Sequence, residues 1–167
     1  EQDLTSFSSD LALVFEPVHL VDFDVLFALP QPVHAVFKSN STLAGKTDLR
    51  LRDCLSHKLV LPAPAYGVRH LLEAAAARRG RTLDPIVETE SFDLIRHYVT
   101  RENAVGFQIP IGLSTKEQAT IAHLPLSEKD LPVGRLLLVQ MKGRALPVAS
   151  SKFGQQLVAA LANWTDQ

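Results

Sequence analysis

The 167-residue chain carries 17 Lys and Arg against 18 Asp and Glu, for a net charge of −1, with 46% hydrophobic and 21% charged residues. These values fit a globular chain long enough for one large domain or two small lobes, and with no basic face evident the chain by itself is a poor nucleic-acid binder. No apolar run approaches the ~20 residues needed to cross a bilayer, Glu1-Gln2-Asp3-Leu4 shows no signal-peptide core, and the single Cys54 excludes an internal disulfide and fits a reducing cytosol.

Residues 1–10 are polar, with Leu4 and Phe7 as the last apolar contacts of a helix. Asp10–Phe15 is an almost continuous apolar run and reads as a buried parallel strand ended by Glu16-Pro17. Asp22–Leu29 and Val33–Lys38 are strand-like. Pro30 and Pro32 between them bend the chain, which makes a crossover rather than a tight hairpin. Ser39–Thr42 with Gly45 reads as a loop. Asp48–Leu55 reads as a short helix with Leu49 and Leu51 inward and Arg50, Arg52 and Asp53 outward. Lys58–Pro62 is the next strand and Ala63–Gly67 its loop. The helix that follows has Val68, Leu71, Leu72, Ala75 and Ala76 on one stripe, Arg69 mostly off it, and Gly80 as its stop.

Residues 88–112 organise the chain. Pro85–Thr89 reads as a strand. Ser91 is a helix N-cap, Asp93 lies in the first turn where the macrodipole favours negative charge, and Leu94, Ile95, Tyr98 and Val99 share a face. Asn103 is a left-handed stop, and Ala104–Ile109 is a short strand closed by Pro110. Strand, helix and strand at this spacing imply parallel strands joined by a crossover. Ligands in such sheets sit beyond the carboxyl ends of the strands. That directs attention to Thr89–Phe92, Gln108–Ile111 and the Tyr66-Gly67 loop, where first-turn N–H groups suit an anion. The plainer reading makes these ordinary loops, with Ser91 only a cap. Ser114–Ala119 is a loop or a single turn. Thr120–Leu126 and Gly134–Met141 are strand-like. Pro147 opens a last helix with Phe153, Leu157, Ala160, Leu161 and Trp164 on its apolar face.

Catalytic signatures are missing: there is no G-x-S-x-G, G-x-G-x-x-G or H-E-x-x-H, and Gly45-Lys46-Thr47 lacks the upstream glycine of a phosphate loop. Six scattered histidines show no ligand spacing. Asp53 and His57 stand four apart, but two ligands make no closed zinc site. A binding cleft is better supported than a catalyst, and no metal or cofactor is implied.

The order of these elements resembles the effector-binding (regulatory) domain of LysR-type transcriptional regulators. Asp10-Leu11-Ala12-Leu13 looks like the family's D-L-A-[LI] strand, and Ser41-Thr42-Leu43-Ala44 stands where the family has an H-P-L-A-like turn. Leu49–Leu55, Ser91-Phe92 with Leu94, Ala104–Pro110 (against G-[IV]-x-x-[LI]-P) and Phe153–Leu161 continue the match across essentially the whole chain. The resemblance implies an α/β, two-lobed periplasmic-binding-protein-like (type II) fold. Its first lobe is expected to be partial at 1–30, its second at 31–125, and 126–167 to return and pack its helix on the first. It implies a domain, not an enzyme, that senses a small inducer, carboxylate or aromatic, held between the lobes. It also implies promoter DNA reached through an N-terminal helix-turn-helix absent here, a homodimer or homotetramer, no membrane, and a cytoplasmic location. Carried over by position, the inducer-facing residues are Phe15, Glu16, Pro17, Tyr66, Gly67, Ser91, Phe92, Gln108 and Pro110. No Lys or Arg lies in these loops, so a carboxylate would rest on N–H groups, Ser91 and Gln108. The alternative is a transport solute-binding protein of the same fold.

Overall fold

A computed structural model describes residues 2–16, 22–113 and 120–164. In chain order its elements are α1 (Gln2–Thr5), β1 (Ala12–Phe15), β2 (Phe23–Gln31), β3 (His34–Lys38), α2 (Leu51–Cys54), β4 (Leu59–Pro62), α3 (Gly67–Ala77), β5 (Pro85–Thr89), α4 (Phe92–Glu102), β6 (Val105–Gln108), β7 (Ile121–Pro125), β8 (Gly134–Met141) and α5 (Val148–Ala162). They divide into two compact units, Glu1–Pro30 with Gly134–Gln167, and Gln31–Val133. Residues 126–133, expected in the return segment, group with the second unit. Leu126 bridges to Leu49 there, and Asp130 takes the Arg50 guanidinium.

The first unit holds a three-stranded sheet in the order β1-β8-β2. β8 is central and buries Leu136 through Val139. Leu4, Phe23, Leu137 and Val139 form its core, with Ala12, Val14 and Met141 packed against it. β1 is a strand as expected, but it runs antiparallel to β8, Ala12 opposite Val139, and it is only half-buried. Its place at the sheet edge explains the partial burial: the apolar run has a neighbour on one side only, and Leu13 faces out. Leu4 is buried as expected, whereas Phe7 is exposed at φ 60°. On α5 the expected apolar face is turned. Leu161 and Gly154 face inward, and a Cβ on Gly154 would meet Leu11 at 3.3 Å, while Phe153 and Ala160 lie exposed.

The second unit holds a five-stranded sheet in the order β5-β4-β6-β3-β7. β4 is parallel to both β5 and β6, as the strand–helix–strand pattern implied. β3 is antiparallel to β6 and β7. The central β4 is buried throughout, and β5 at the edge alternates between half-buried and exposed. α4 covers β3, β4 and β6, with Ile95 and Val99 fully buried against Val36, Val60, Ala104 and Ile121. Gly106 makes this close approach possible, since a Cβ there would stand 2.3 Å from Ile95 Cγ2. Ser91 Oγ accepts the Leu94 N–H at 3.2 Å, and Asn103 ends the helix at φ 52°, ψ 39°, the two local features expected. Such a cap is worth about 1 kcal/mol.

Several side chains turn elsewhere than the helical spacing indicates. Leu94 is exposed. Arg69 is buried, with its guanidinium donating to Glu73, Glu88 and the Pro62 carbonyl. Arg50 points to Asp130 instead of solvent. Residues 42–45 form a 3-10 turn capped by Ser41, not an open loop. Cys54 is buried, and desolvation pushes its thiol up to about 12. Residues 114–119 lie outside the described residues.

Candidate functional site

In the second unit the carboxyl ends of β4, β5 and β6 lie along one edge of the sheet, because the three strands are parallel. Both crossover helices start at that edge. Tyr66 is the N-cap of α3, and its side chain makes no capping bond, so first-turn N–H groups face outward beside Gly67. The Tyr66 O–H donates to the Glu90 carbonyl at 3.2 Å, and its ring meets Phe92 edge-on at 5.5 Å. Thr89 and Ala63 are stitched by an N–H to carbonyl bond of 2.9 Å, which holds the two loops together. Tyr66, Gly67, Ser91 and Phe92 therefore form one cluster. Pro110 opens a 3-10 turn, and the Ile111 N–H donates to Gln31 Oε1 at 3.1 Å.

Side-chain alternation places a polar group beneath this edge. His34 pairs with Gln108, and Val36 pairs with both Gly106 and His123. His34, His123, Gly106 and Gln108 consequently share the face covered by α4. Gln108 is 1% exposed. Its Oε1 accepts from Arg96 Nη1 at 3.3 Å. A guanidinium only donates, so this contact fixes the amide orientation and leaves Nε2 as the other end. Gln108 Nε2 is buried and has no hydrogen-bond partner among the described residues. A buried donor left in this way costs about 1–3 kcal/mol.

His34 and His123 meet Nδ1 to Nδ1 at 2.8 Å, so one ring must donate and the other accept. Burial, reinforced by the neighbouring His123, lowers the His34 pKa to about 4. Arg96 also pairs with Asp93 on the same helix. The loops supply no cation here; the guanidinium beside Gln108 comes from the second turn of α4. Arg96, His34, His123 and Gln31 were not singled out by sequence. Their signal was faint: single polar residues at the end of β2, the start of β3 and the middle of β7, and an Asp-x-x-Arg pair inside a helix.

Phe15 and Glu16 belong to the first unit. The Phe15 ring lies over Gly134, where a Cβ would stand 2.3 Å from Cζ. The Glu16 carboxylate accepts from Arg135 Nε at 2.9 Å and also from its Nη2, and this pairing lowers its pKa. Both side chains have local partners. Pro17 lies outside the described residues. Among the described residues no group of three or more His, Cys, Asp or Glu stands ready to hold a metal ion, and no helix is long and apolar enough to cross a membrane.

The family model of the LysR substrate binding domain matches residues 1–162. Among solved structures, the chain is similar to the effector binding domain of QuiR in complex with shikimate, at 17% identity and TM-score 0.76, over 96% of this chain and 76% of that one. It is similar to the Synechocystis PCC6803 CcmR regulatory domain in complex with 2-PG, at 17% identity and TM-score 0.77, over 97% and 78%. It is also similar to HinK, a LysR family transcriptional regulator from Pseudomonas aeruginosa, at 19% identity and TM-score 0.73; there it covers 96% of this chain but spans only 56% of that one. These likenesses establish the type II periplasmic-binding-protein-like fold. Among curated proteins none matches the chain.

Proposed function

The chain belongs to the family of LysR substrate binding domains, and from that premise we propose that its second unit carries one wall of an effector site at the carboxyl edge of β4, β5 and β6. The observation that carries this reading is the Nε2 of Gln108, buried and without a partner among the described residues. A donor held in place by Arg96 and lacking an acceptor suits an oxygen-rich ligand that supplies one. The first-turn N–H groups at Gly67 and the Ser91 hydroxyl are suited to a carboxylate. The edge-on rings of Tyr66 and Phe92 suit its apolar body. The likeness to regulatory domains bound to shikimate and to 2-PG supports a small molecule as effector.

The effector acts by binding one conformation of the full-length regulator better than another, which shifts its population. That regulator would act in the cytoplasm, as a dimer or tetramer, on promoter DNA through a helix-turn-helix. Transport of a solute by the same fold is the weaker reading, because the family match is to LysR domains. Members of this family are regulators of transcription, which also disfavours an enzyme.

Calorimetric titration with a panel of small carboxylates tests the site. The binding member is expected to lose about ten- to a hundredfold in affinity on Gln108→Ala, with the circular dichroism spectrum unchanged. Binding that is indifferent to Gln108→Ala and to Ser91→Ala would place the effector elsewhere.

A further inference from the structure

At the opposite, amino-terminal edge of the second unit's sheet, α2 leads into β4, and the turn after α3 leads into β5. Between them lies a half-open recess of about 400 Å³. Arg52, Arg79 and Arg81 line it together with Ser56, whose hydroxyl donates to the Asp53 carbonyl, and with Leu51 and Ala76. Nothing about the Gln108 site requires this recess.

The surrounding charge is one-sided. Asp130 is buried and already taken: Arg50 donates to it twice, at 2.9 and 2.7 Å, the Leu51 N–H at 2.8 Å, and Arg79 at 2.5 Å. Arg78 donates to the Asp130 carbonyl. Asp53 accepts from Lys46 and from the Arg50 N–H. Glu73, in the adjoining recess, is held by Arg69 at 2.7 Å. Among the described residues neither Arg52 nor Arg81 hydrogen-bonds or ion-pairs with a carboxylate. The carboxyl end of α3 carries only about half a negative charge, too little to offset these cations. Such an excess is notable in a chain whose net charge is −1.

We propose that this recess is a second ligand site, separate from the effector site, for a small phosphorylated molecule. Guanidinium forks match phosphate oxygens in pairs of hydrogen bonds, and three of them offer more donors than one carboxylate can accept. The recess is concave and of ligand size, with Leu51 and Ala76 as apolar lining for the organic part. Backbone binding along a nucleic acid calls instead for a continuous basic stripe.

Inorganic pyrophosphate is the probe. Calorimetry at low ionic strength is expected to give saturable one-site binding, weakened at least about tenfold by Arg52→Ser with Arg81→Ser and unchanged by Gln108→Ala. Arg81→Ser alone carries the same test, with a smaller loss, should the double variant fail to fold. Absence of saturable binding, equal binding by the arginine variants, or displacement of pyrophosphate by a random-sequence DNA duplex would each overturn the proposal. Because Gln108 and the arginines are varied separately, failure here leaves the effector site standing, and the reverse also holds.

Discussion

His34 and Gln108 face each other across β3 and β6, and both are nearly withdrawn from solvent. His34 is held neutral, because a charge there would be desolvated and would sit 2.8 Å from the His123 ring nitrogen. Its folded pKa of about 4 lies below the ordinary histidine value of 6.5. The unfolded chain therefore binds the proton first as pH falls. Stability is whole above pH ~6.5 and declines down to pH ~4, a loss of about 3 kcal/mol from this residue. Urea unfolding at pH 7, 5.5 and 4.5 checks it: His34→Asn should flatten that decline relative to wild type, and an unchanged slope would remove His34 as its source. Neither partner was legible as a pair in the sequence. His34 and His123 are 89 residues apart, and only the β3–β7 register brings them into contact.

At the scale of elements, α4 shows how much a local sequence can state. Its cap at Ser91, its acidic first turn and its stop at Asn103 are written within one short stretch, and each is found. Which way its sides turn depends on what the sheet offers. Leu94 shares the apolar spacing yet stays exposed, while Arg96 is drawn inward to Gln108. The same holds for the loop after β7, which carries three charged residues in a row, Glu128, Lys129 and Asp130. Its Asp130 is buried and joins the loop to α2 and to the end of α3 through Arg50, the Leu51 N–H and Arg79. The Arg50 hydrogen bonds pull the Asp130 pKa down to about 2, so its contribution is present above pH ~3.8 and is lost as pH falls toward 2. That shift corresponds to about 2 kcal/mol. Asp130→Asn keeps the shape but removes the charge, leaving Arg50 and Arg79 to share a neutral acceptor. Denaturant unfolding at pH 7 should show a loss of at least about 2 kcal/mol, shrinking below pH 3 as the wild type loses the same charge. A variant as stable as wild type at pH 7 would reduce this network to surface decoration.

At the scale of the molecule, the two units differ in how the chain builds them. The second is one continuous stretch, Gln31–Val133. Its ends are already joined, since the Leu126 N–H donates to the Val33 carbonyl at 2.9 Å and β7 pairs with β3 from Ile121 to Pro125. The first unit is assembled from two segments. Ala12 pairs with Val139, and Asp10 accepts from Arg144 at 2.8 Å and from Ser150 at 2.6 Å, so its closure spans the whole intervening chain. Closing so long a loop carries an entropic cost that rises only slowly with length, but it delays those contacts until the intervening chain has collapsed. The second unit needs no such wait. Expressed alone, residues 31–133 are therefore expected to give a helical and strand-containing circular dichroism spectrum and a single cooperative thermal transition. The two outer segments, mixed without the second unit, should not. A disordered 31–133 fragment would mean that the buried polar group around Gln108 costs more than this unit's own core returns.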